Sequence, residues 1–126
     1  MIQHTRDKQR KFVELLYRKT LSREIKWGTN EHRQIYTKIA GRSLFAYSEL
    51  NQDGEDLITF VLFGSDDKVS DKFTDEDIKH NNIVPSGFEN WYLLCAALLE
   101  IGRRQASGAD DALDAMIDEL DNEVPF

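Results

Sequence analysis

Few side chains in the sequence combine the type and the spacing that catalysis or metal binding requires. The three histidines, His4, His32 and His80, stand far apart, and no histidine or cysteine pair has the spacing of zinc ligands. The single cysteine, Cys95, lies in the apolar run 93–97, whereas a reactive thiol needs an electropositive and partly exposed setting. We therefore expect Cys95 to fill the core, and we predict a non-catalytic protein with no metal ion and no cofactor.

One further pattern suggests nuclease chemistry. Glu24-Ile25-Lys26 matches the Glu-x-Lys fragment of a common metal-dependent nuclease core, which also needs an upstream acidic residue to hold the divalent ion. The only upstream aspartate is Asp7, which falls within a predicted helix rather than on a strand. Because the match is short and the third ligand is on the wrong kind of element, we predict that the protein is not a metal-dependent nuclease.

The acidic connection over residues 64–87 offers carboxylates for calcium. It lacks the regularly spaced oxygen ligands around a central glycine that an EF-hand uses. We therefore interpret it as a solvated loop, whose acidic residues are Asp66, Asp67, Asp71, Asp75, Glu76 and Asp77. Thr74, followed by three acidic residues, predicts a cap and one turn of helix within this connection.

The first half of the chain predicts one helix and three strands. Apolar spacing predicts a helix from Thr5, its cap, to about Lys19. Alternation and β-rich composition predict strands over residues 34–40, 43–50 and 57–63. An Asp-Gly turn at residues 51–56 joins the last two, and the almost wholly apolar third strand should lie centrally in an antiparallel meander.

The second half predicts two helices. Ser86, with Glu89 three residues later, predicts a capping box before a helix that is apolar on most sides and therefore buried. The residues of this helix that we expect in the core are Trp91, Leu94, Cys95 and Leu98. They should pack against the sheet face that carries Phe60 and Leu62, or against the face one register step away. Residues 109–120 then predict a short amphipathic helix, with one face lined by Leu113, Met116, Ile117 and Leu120.

Length and composition are those of one globular domain. The 126 residues are 40% hydrophobic and 31% charged, and no apolar run is long enough to span a bilayer. No secretory signal is evident, and one cysteine cannot form an internal disulfide, so we expect a cytoplasmic protein without membrane contact. The predicted fold is α+β: an N-terminal helix, a three-stranded antiparallel meander, a buried C-terminal helix and a short amphipathic helix. Residues 1–120 should form the globular domain, and residues 121–126 an acidic tail.

Charge is distributed unevenly along the chain. Residues 1–43 carry eleven Lys and Arg against four Asp and Glu, whereas residues 44–126 carry five against nineteen. The two halves either neutralise each other in contact or leave an acidic end that attracts basic partners. Cations of the first helix could contact phosphates, but a net charge of −7 repels a polyanion, so we do not expect direct nucleic-acid binding.

The end of the sequence carries its most specific motif. Residues 118–126, Asp-Glu-Leu-Asp-Asn-Glu-Val-Pro-Phe, place acidic residues before a final Val-Pro-Phe. This resembles the C-terminal tip of bacterial single-stranded DNA-binding protein, which ends in a run of acids followed by Ile-Pro-Phe. Val124 stands where that family has Ile, Leu120 where it often has Phe, and Asn122 where it has an acid. The globular part of the chain does not resemble that family.

The resemblance implies a tail that binds a protein partner. In that family the tip docks on replication, recombination and repair enzymes. An apolar pocket with a basic lip would take the ring and the α-carboxylate of Phe126, while Asp121 and Glu123 would follow a basic ridge. The implied function is an adaptor or competitor that docks on such an enzyme. The implied binding residues are Leu120, Asp121, Glu123, Val124, Pro125 and Phe126.

An alternative interpretation needs no tail motif. The excess of carboxylates in residues 44–126 would suit an inhibitor or immunity-type protein that binds a basic partner through its acidic surface. Binding that survives removal of residues 121–126 would favour this alternative.

Overall fold

The computed structural model describes residues 2–80 and 83–122, in which helices pack on one face of an antiparallel sheet. The strands are β1 (Gly28–Thr29), β2 (Ile35–Ile39), β3 (Arg42–Leu50), β4 (Asp56–Phe63) and β5 (Val69–Thr74). The helices are α1 (Ile2–Leu21), α2 (Asp75–Ile78), α3 (Trp91–Ser107) and α4 (Ala109–Asn122), with a 3₁₀ turn at Pro85–Gly87. The α+β class is confirmed. No helix in this part of the chain is long and apolar enough to cross a membrane.

The sheet has five strands, so the predicted three-stranded meander is too small. The strand order is β1-β2-β3-β4-β5, and every neighbouring pair is antiparallel. The two residues of β1 pair only with Ile35 and Tyr36. A strand of two residues is too short for sequence patterning to detect. β5 lies in the acidic connection, and Phe73 is its one buried residue, so apolar alternation is almost absent. Because β5 pairs with β4, the apolar β4 lies inside the sheet, as predicted.

Side-chain alternation gives the sheet a core face and an outer face. Ala46, Phe60 and Phe73 are direct cross-strand neighbours on the core face, and each is at most 1% exposed. On the outer face, the ring of Phe45 packs against those of Tyr36 and Phe63, with centroid distances of 5.6 and 5.7 Å. α1 and α3 pack on the core face.

α3 supplies the centre of the core. Its residues at most 3% exposed are Trp91, Leu94, Cys95, Leu98 and Leu99. They pack with Phe60, as the sequence predicted, and Leu62 is partly buried against the same cluster. α3 is apolar on most sides because α1 and the sheet both contact it.

The start of α3 differs from the capping box predicted at Ser86 and Glu89. The helix begins at Trp91, and the Asn90 side chain caps it by accepting a hydrogen bond from the Leu93 N–H (2.8 Å). Ser86 has φ = 63° within the 3₁₀ turn, whereas an N-cap residue needs an extended backbone. The Ser86 prediction is therefore wrong.

The end of α1 is tied to the rest of the core through Thr20. α1 extends past the predicted limits, Thr5 and Lys19, at both ends, so Thr5 is not its cap. The Thr20 hydroxyl accepts a hydrogen bond from Trp27 Nε1, and its carbonyl accepts one from Gln105 Nε2 of α3, both at 2.9 Å. These two bonds fix the spacing between α1, α3 and the segment that leads to the sheet.

The helical turn predicted after Thr74 is confirmed as α2, and two of its carboxylates are structural. The Thr74 N–H donates to Asp77 Oδ2 (2.9 Å). Asp75 is 5% exposed, and its Oδ1 accepts from the Ile58 N–H of β4 at 2.7 Å. Burial raises the pKa of the Asp75 carboxyl, and the Ile58 hydrogen bond opposes that rise. Asp75 is therefore an anchor between α2 and the sheet, not the solvated loop residue that the sequence suggested.

Leu94→Ala should lower the free energy of unfolding by about 2–5 kcal/mol, because it leaves a cavity at a fully buried position of α3. Leu93→Ala is the matched control on the same helix: Leu93 is 41% exposed, so its loss should be under about 1 kcal/mol. Urea denaturation measures both values. Equal losses for the two variants would contradict this placement of α3.

Asp75→Ala should lower the free energy of unfolding by about 1–3 kcal/mol, because it leaves the Ile58 N–H without an acceptor inside the sheet. Asp75→Asn keeps an acceptor and should cost less. Since the folded-state pKa of Asp75 is raised, its favourable contribution is complete at low pH and is lost as pH rises through that pKa. The Asn variant should therefore gain stability relative to the native chain as pH rises from about 4, the usual pKa of an aspartate, through the raised pKa of Asp75. An unchanged difference across denaturation curves in that range would contradict the buried placement.

Candidate protein-binding site

α4 leaves the body of the protein through one glycine at the end of α3. Gly108 has φ = 72°, the left-handed conformation that ends many helices, and its N–H donates to the Gln105 carbonyl (3.2 Å). Its own carbonyl accepts from the Ala112 N–H (2.9 Å) and so begins α4. Gly108 thus stops one helix and starts the next in a new direction.

Two ion pairs hold the base of α4. Arg104 donates to Asp110 Oδ1 from Nε (3.0 Å) and from Nη2 (2.6 Å). Arg23 Nη1 lies 3.8 Å from Asp111 Oδ1, and both of these side chains are exposed. Asp110 and Asp111 occupy the first turn of α4, where the helix dipole favours negative charge. The direction in which α4 leaves the body is therefore set at its first turn.

Beyond this base, α4 presents an uncovered apolar stripe. None of its residues is buried. The side chains at three- and four-residue spacing along one side are Leu113, Met116, Ile117 and Leu120, which are 50%, 64%, 51% and 63% exposed. We call these four residues the α4 stripe. A helix of this pattern ordinarily buries its stripe against another element, and within the described residues no element covers this one.

The charge of α4 is entirely negative. The helix has no Lys, Arg or His, and its acidic residues are Asp110, Asp111, Asp114, Asp118, Glu119 and Asp121. Within residues 2–80 and 83–122, the last four of these have no ion pair. Like charges along one helix repel each other, and a cationic surface would relieve that repulsion. The surface that complements α4 is an apolar groove with a basic rim.

The structure describes two of the six residues predicted to bind a partner. Leu120 and Asp121 lie near the end of α4 and are exposed. Glu123, Val124, Pro125 and Phe126 lie outside the described residues. α4 runs to Asn122, past the helix end predicted at residue 120.

The rest of the α4 stripe was not among the predicted binding residues. Leu113, Met116 and Ile117 were predicted to share one helix face with Leu120, and they do. What the sequence pattern did not indicate is that this face stays uncovered. The absence of any basic residue from the helix was the available signal, because a helix packed on its own acidic domain would gain from cations.

The residues considered for catalysis have structural partners. Glu24 accepts hydrogen bonds from Ser22 Oγ (2.6 Å) and Lys19 Nζ (3.1 Å), and these contacts lower the pKa of its carboxyl. Cys95 is fully buried, and burial raises the pKa of its thiol far above the usual value. In the described ranges, no cluster of three or more His, Cys, Asp or Glu side chains could hold a metal ion.

Part of the basic first half neutralises acidic residues of the second half. Arg10 is 5% exposed, and its Nε donates to the Ile78 carbonyl at 2.8 Å. Arg6 Nη2 lies 3.8 Å from Asp77 Oδ1. The ion pair of Arg10 is with Asp7 of its own helix (2.8 Å), so of these two cations Arg6 is the one that neutralises an acid of the second half at the α1–α2 contact.

No protein-family model matches the chain, and no curated protein or solved structure does either. The case for a binding site on α4 therefore depends on the exposure, charge and spacing of its own residues.

Replacing Met116 with Gln should change the free energy of unfolding by less than about 0.5 kcal/mol, because its side chain is 64% exposed. Ile78→Gln, at a fully buried position, is the contrasting variant and should be strongly destabilising. Thermal and urea denaturation of the two variants measure the difference. A loss above about 2 kcal/mol for Met116→Gln would show that the α4 stripe packs on its own domain.

Proposed function

We propose that this protein is a small, non-catalytic adaptor or competitor whose acidic Val-Pro-Phe tail docks on an enzyme of DNA replication or repair. The binding residues are those predicted from the sequence: Leu120, Asp121, Glu123, Val124, Pro125 and Phe126. The enzyme is recognised by an apolar pocket with a basic lip, the kind of site that takes the tip of single-stranded DNA-binding protein.

The observation that supports this proposal is the direction and exposure of α4. Its base is fixed to the body by the Arg104–Asp110 ion pair, and its last described turn carries Leu120 at 63% exposure. Leu120 and Asp121, the first two of the proposed binding residues, are exposed at this end of α4, where a large enzyme can reach them. Because the residues up to Asn122 are already helical, less ordering entropy is lost when they bind.

The chemistry of the tail suits a pocket of that kind. The Phe126 ring offers apolar area, Pro125 restricts the backbone before binding, and Asp121 and Glu123 add attraction to cations along the approach. Because that attraction acts between exposed charges, binding should weaken as salt rises. Asn122 interrupts the run of acids and leaves the electrostatic contribution below its maximum.

The test is competition with a peptide of the single-stranded DNA-binding protein tip for a bacterial exonuclease or helicase that binds that tip, followed by fluorescence polarisation. The full chain should displace the peptide, and Phe126→Ala should lose this ability by at least about tenfold, as expected for an aromatic anchor. Asn122→Asp should bind more tightly, because it restores a carboxylate. Leu50→Ala, at an exposed apolar position on β3, is the matched control and should bind like the native chain.

A second comparison isolates the role of the carboxylate. A peptide of residues 118–126 should compete as the free acid and should lose affinity as the C-terminal amide, because the basic lip then faces a neutral group. Failure of both the full chain and the free-acid peptide to displace the tip would overturn the proposal.

The acidic surface of α4 favours one second candidate, an inhibitor or immunity-type protein with a basic partner. Its supporting observation is the set of four carboxylates without an ion pair in the described residues, Asp114, Asp118, Glu119 and Asp121. The two candidates respond differently to substitution. If Phe126→Ala still binds the partner, whereas the double variant Asp114→Asn, Glu119→Gln does not, the result would favour the inhibitor.

A further inference from the structure

A second surface of the protein has the chemistry that complements α4. It is a groove of about 640 Å³ between the C-terminal half of α1 and the edge of β2. The apolar side chains that line it are Phe12, Leu15, Leu16, Ile25 and Ile39. Leu15 and Ile39 are 42% and 39% exposed, so the groove is open to solvent along its length.

The groove exists because β1 is short. β1 pairs with β2 only at Ile35 and Tyr36, so residues 37–39 form a free strand edge on that side. The Thr37 hydroxyl donates to the Lys26 carbonyl (2.9 Å), which holds the segment after α1 beside this edge. Apolar residues of α1 and β2 therefore face a gap that no element of residues 2–80 and 83–122 fills.

The rim of the groove is basic. Lys19, Lys26 and Lys38 line it, together with one acid, Glu24. Glu24 is already paired with Lys19 at 3.1 Å. Within the described residues, Lys26 and Lys38 have no ion pair, so the rim carries uncompensated positive charge.

We propose that the groove binds α4 of a second copy of this chain. The α4 stripe supplies apolar side chains for the apolar floor, and the carboxylates beside it face the lysines of the rim. At 100° per residue, Asp114 and Glu119 flank the stripe on opposite sides of the helix. One chain therefore displays both halves of a complementary pair, an acidic amphipathic helix and a basic apolar groove.

α4 binds the groove of a second copy because its own first turn is fixed to the body of its chain. The pairs Arg104–Asp110 and Arg23–Asp111 fix the first turn in a position that leaves the stripe uncovered. Two copies satisfy both surfaces at once if each places α4 in the groove of the other, which closes the pair without further growth. Direct pairing of α4 with α4 is disfavoured, since it would bring two wholly acidic helices together.

The test is a charge exchange in the full chain, followed by sedimentation velocity at about 0.15 M salt, where distant charges are screened. One variant reverses the rim, Lys26→Glu with Lys38→Glu. The other reverses the helix, Asp114→Lys with Glu119→Lys. The native chain should dimerise as its concentration rises, and each variant alone should dimerise roughly tenfold more weakly.

Mixing the two variants should restore association. In the mixed pair, the native α4 of the rim variant meets the native groove of the helix variant, and the reversed α4 meets the reversed groove. Both contacts again join opposite charges, an outcome that a folding defect or an unrelated interface would not produce. A native chain that stays monomeric at high concentration, or mixed variants that associate no better than each alone, would overturn the proposal.

Two further variants distinguish this pairing from association through a different surface. Ile117→Gln should weaken the dimer by at least about tenfold, whereas Leu50→Gln, an exposed apolar position outside both surfaces, should not affect it. Removal of residues 123–126 should leave the dimer intact, because those residues lie beyond the stripe. Loss of the dimer in that truncated chain would contradict the assignment of the groove to α4. Leu120 belongs to both surfaces, so the two proposals are distinguished by residues that belong to one surface each: Ile117→Gln tests dimerisation and Phe126→Ala tests tip competition.

Discussion

Burial of α3 is the constraint on which the rest of the structure depends. The helix contacts α1, α2, α4 and the strands β1, β2 and β4. Its approach to the sheet is set by Gly102, where an added Cβ would lie 2.5 Å from Ile35 Cδ1 and 3.6 Å from the Trp27 ring. Any larger residue would force the buried Ile35 side chain to shift, so glycine allows α3 to reach β2 this closely. Trp27 packs beside the same glycine, and α3 also contacts β1 and α1.

The same constraint explains why α4 has no place in the core. α1 and α3 already pack on the core face of the sheet, and the outer face carries its own cluster of Tyr36, Phe45 and Phe63. An amphipathic helix that follows α3 through Gly108 therefore reaches the surface with its stripe uncovered. Its carboxylates favour contact with water, and in the proposed functions they favour partner surfaces of opposite charge. Because the core is filled without α4, this helix remains exposed and available for binding.

Sequence patterning recovered the elements whose residues are mostly buried. β4 and α3 were predicted because they have too few polar residues for one side to face solvent, so both had to be buried. The packing of α3 against Phe60 of β4 is confirmed. β5 was missed because its residues are largely polar and it is stabilised by pairing with β4, a contact that no local pattern encodes. Asn90 was missed as a cap because Ser86, four residues earlier, can also accept a hydrogen bond from a backbone N–H. Ser86 is excluded as the cap only by its left-handed backbone, which the sequence did not indicate.

The candidate site also has one part that could be predicted from the sequence and one that could not. The amphipathic spacing of α4 was visible in the sequence, whereas its lack of a packing partner depends on how the remaining elements fill the core. The lysine-rimmed groove could not be predicted, since it joins α1 to a strand edge that is free only because β1 is short. The roles of Glu123 to Phe126 remain predictions from the resemblance of the tip.

The central claim is that the α4 stripe lies outside the core of its own domain and is available for contact with another protein. Amide hydrogen exchange of the full chain, followed by mass spectrometry at low and high protein concentration, tests it most directly. Residues 109–122 should exchange far faster than the α3 core at low concentration, because each opening of α4 exposes no buried side chain. Their protection should rise with concentration while that of α3 stays constant. Protection of α4 equal to that of α3 at the lowest concentration would show that the helix is part of the core, and would contradict the account.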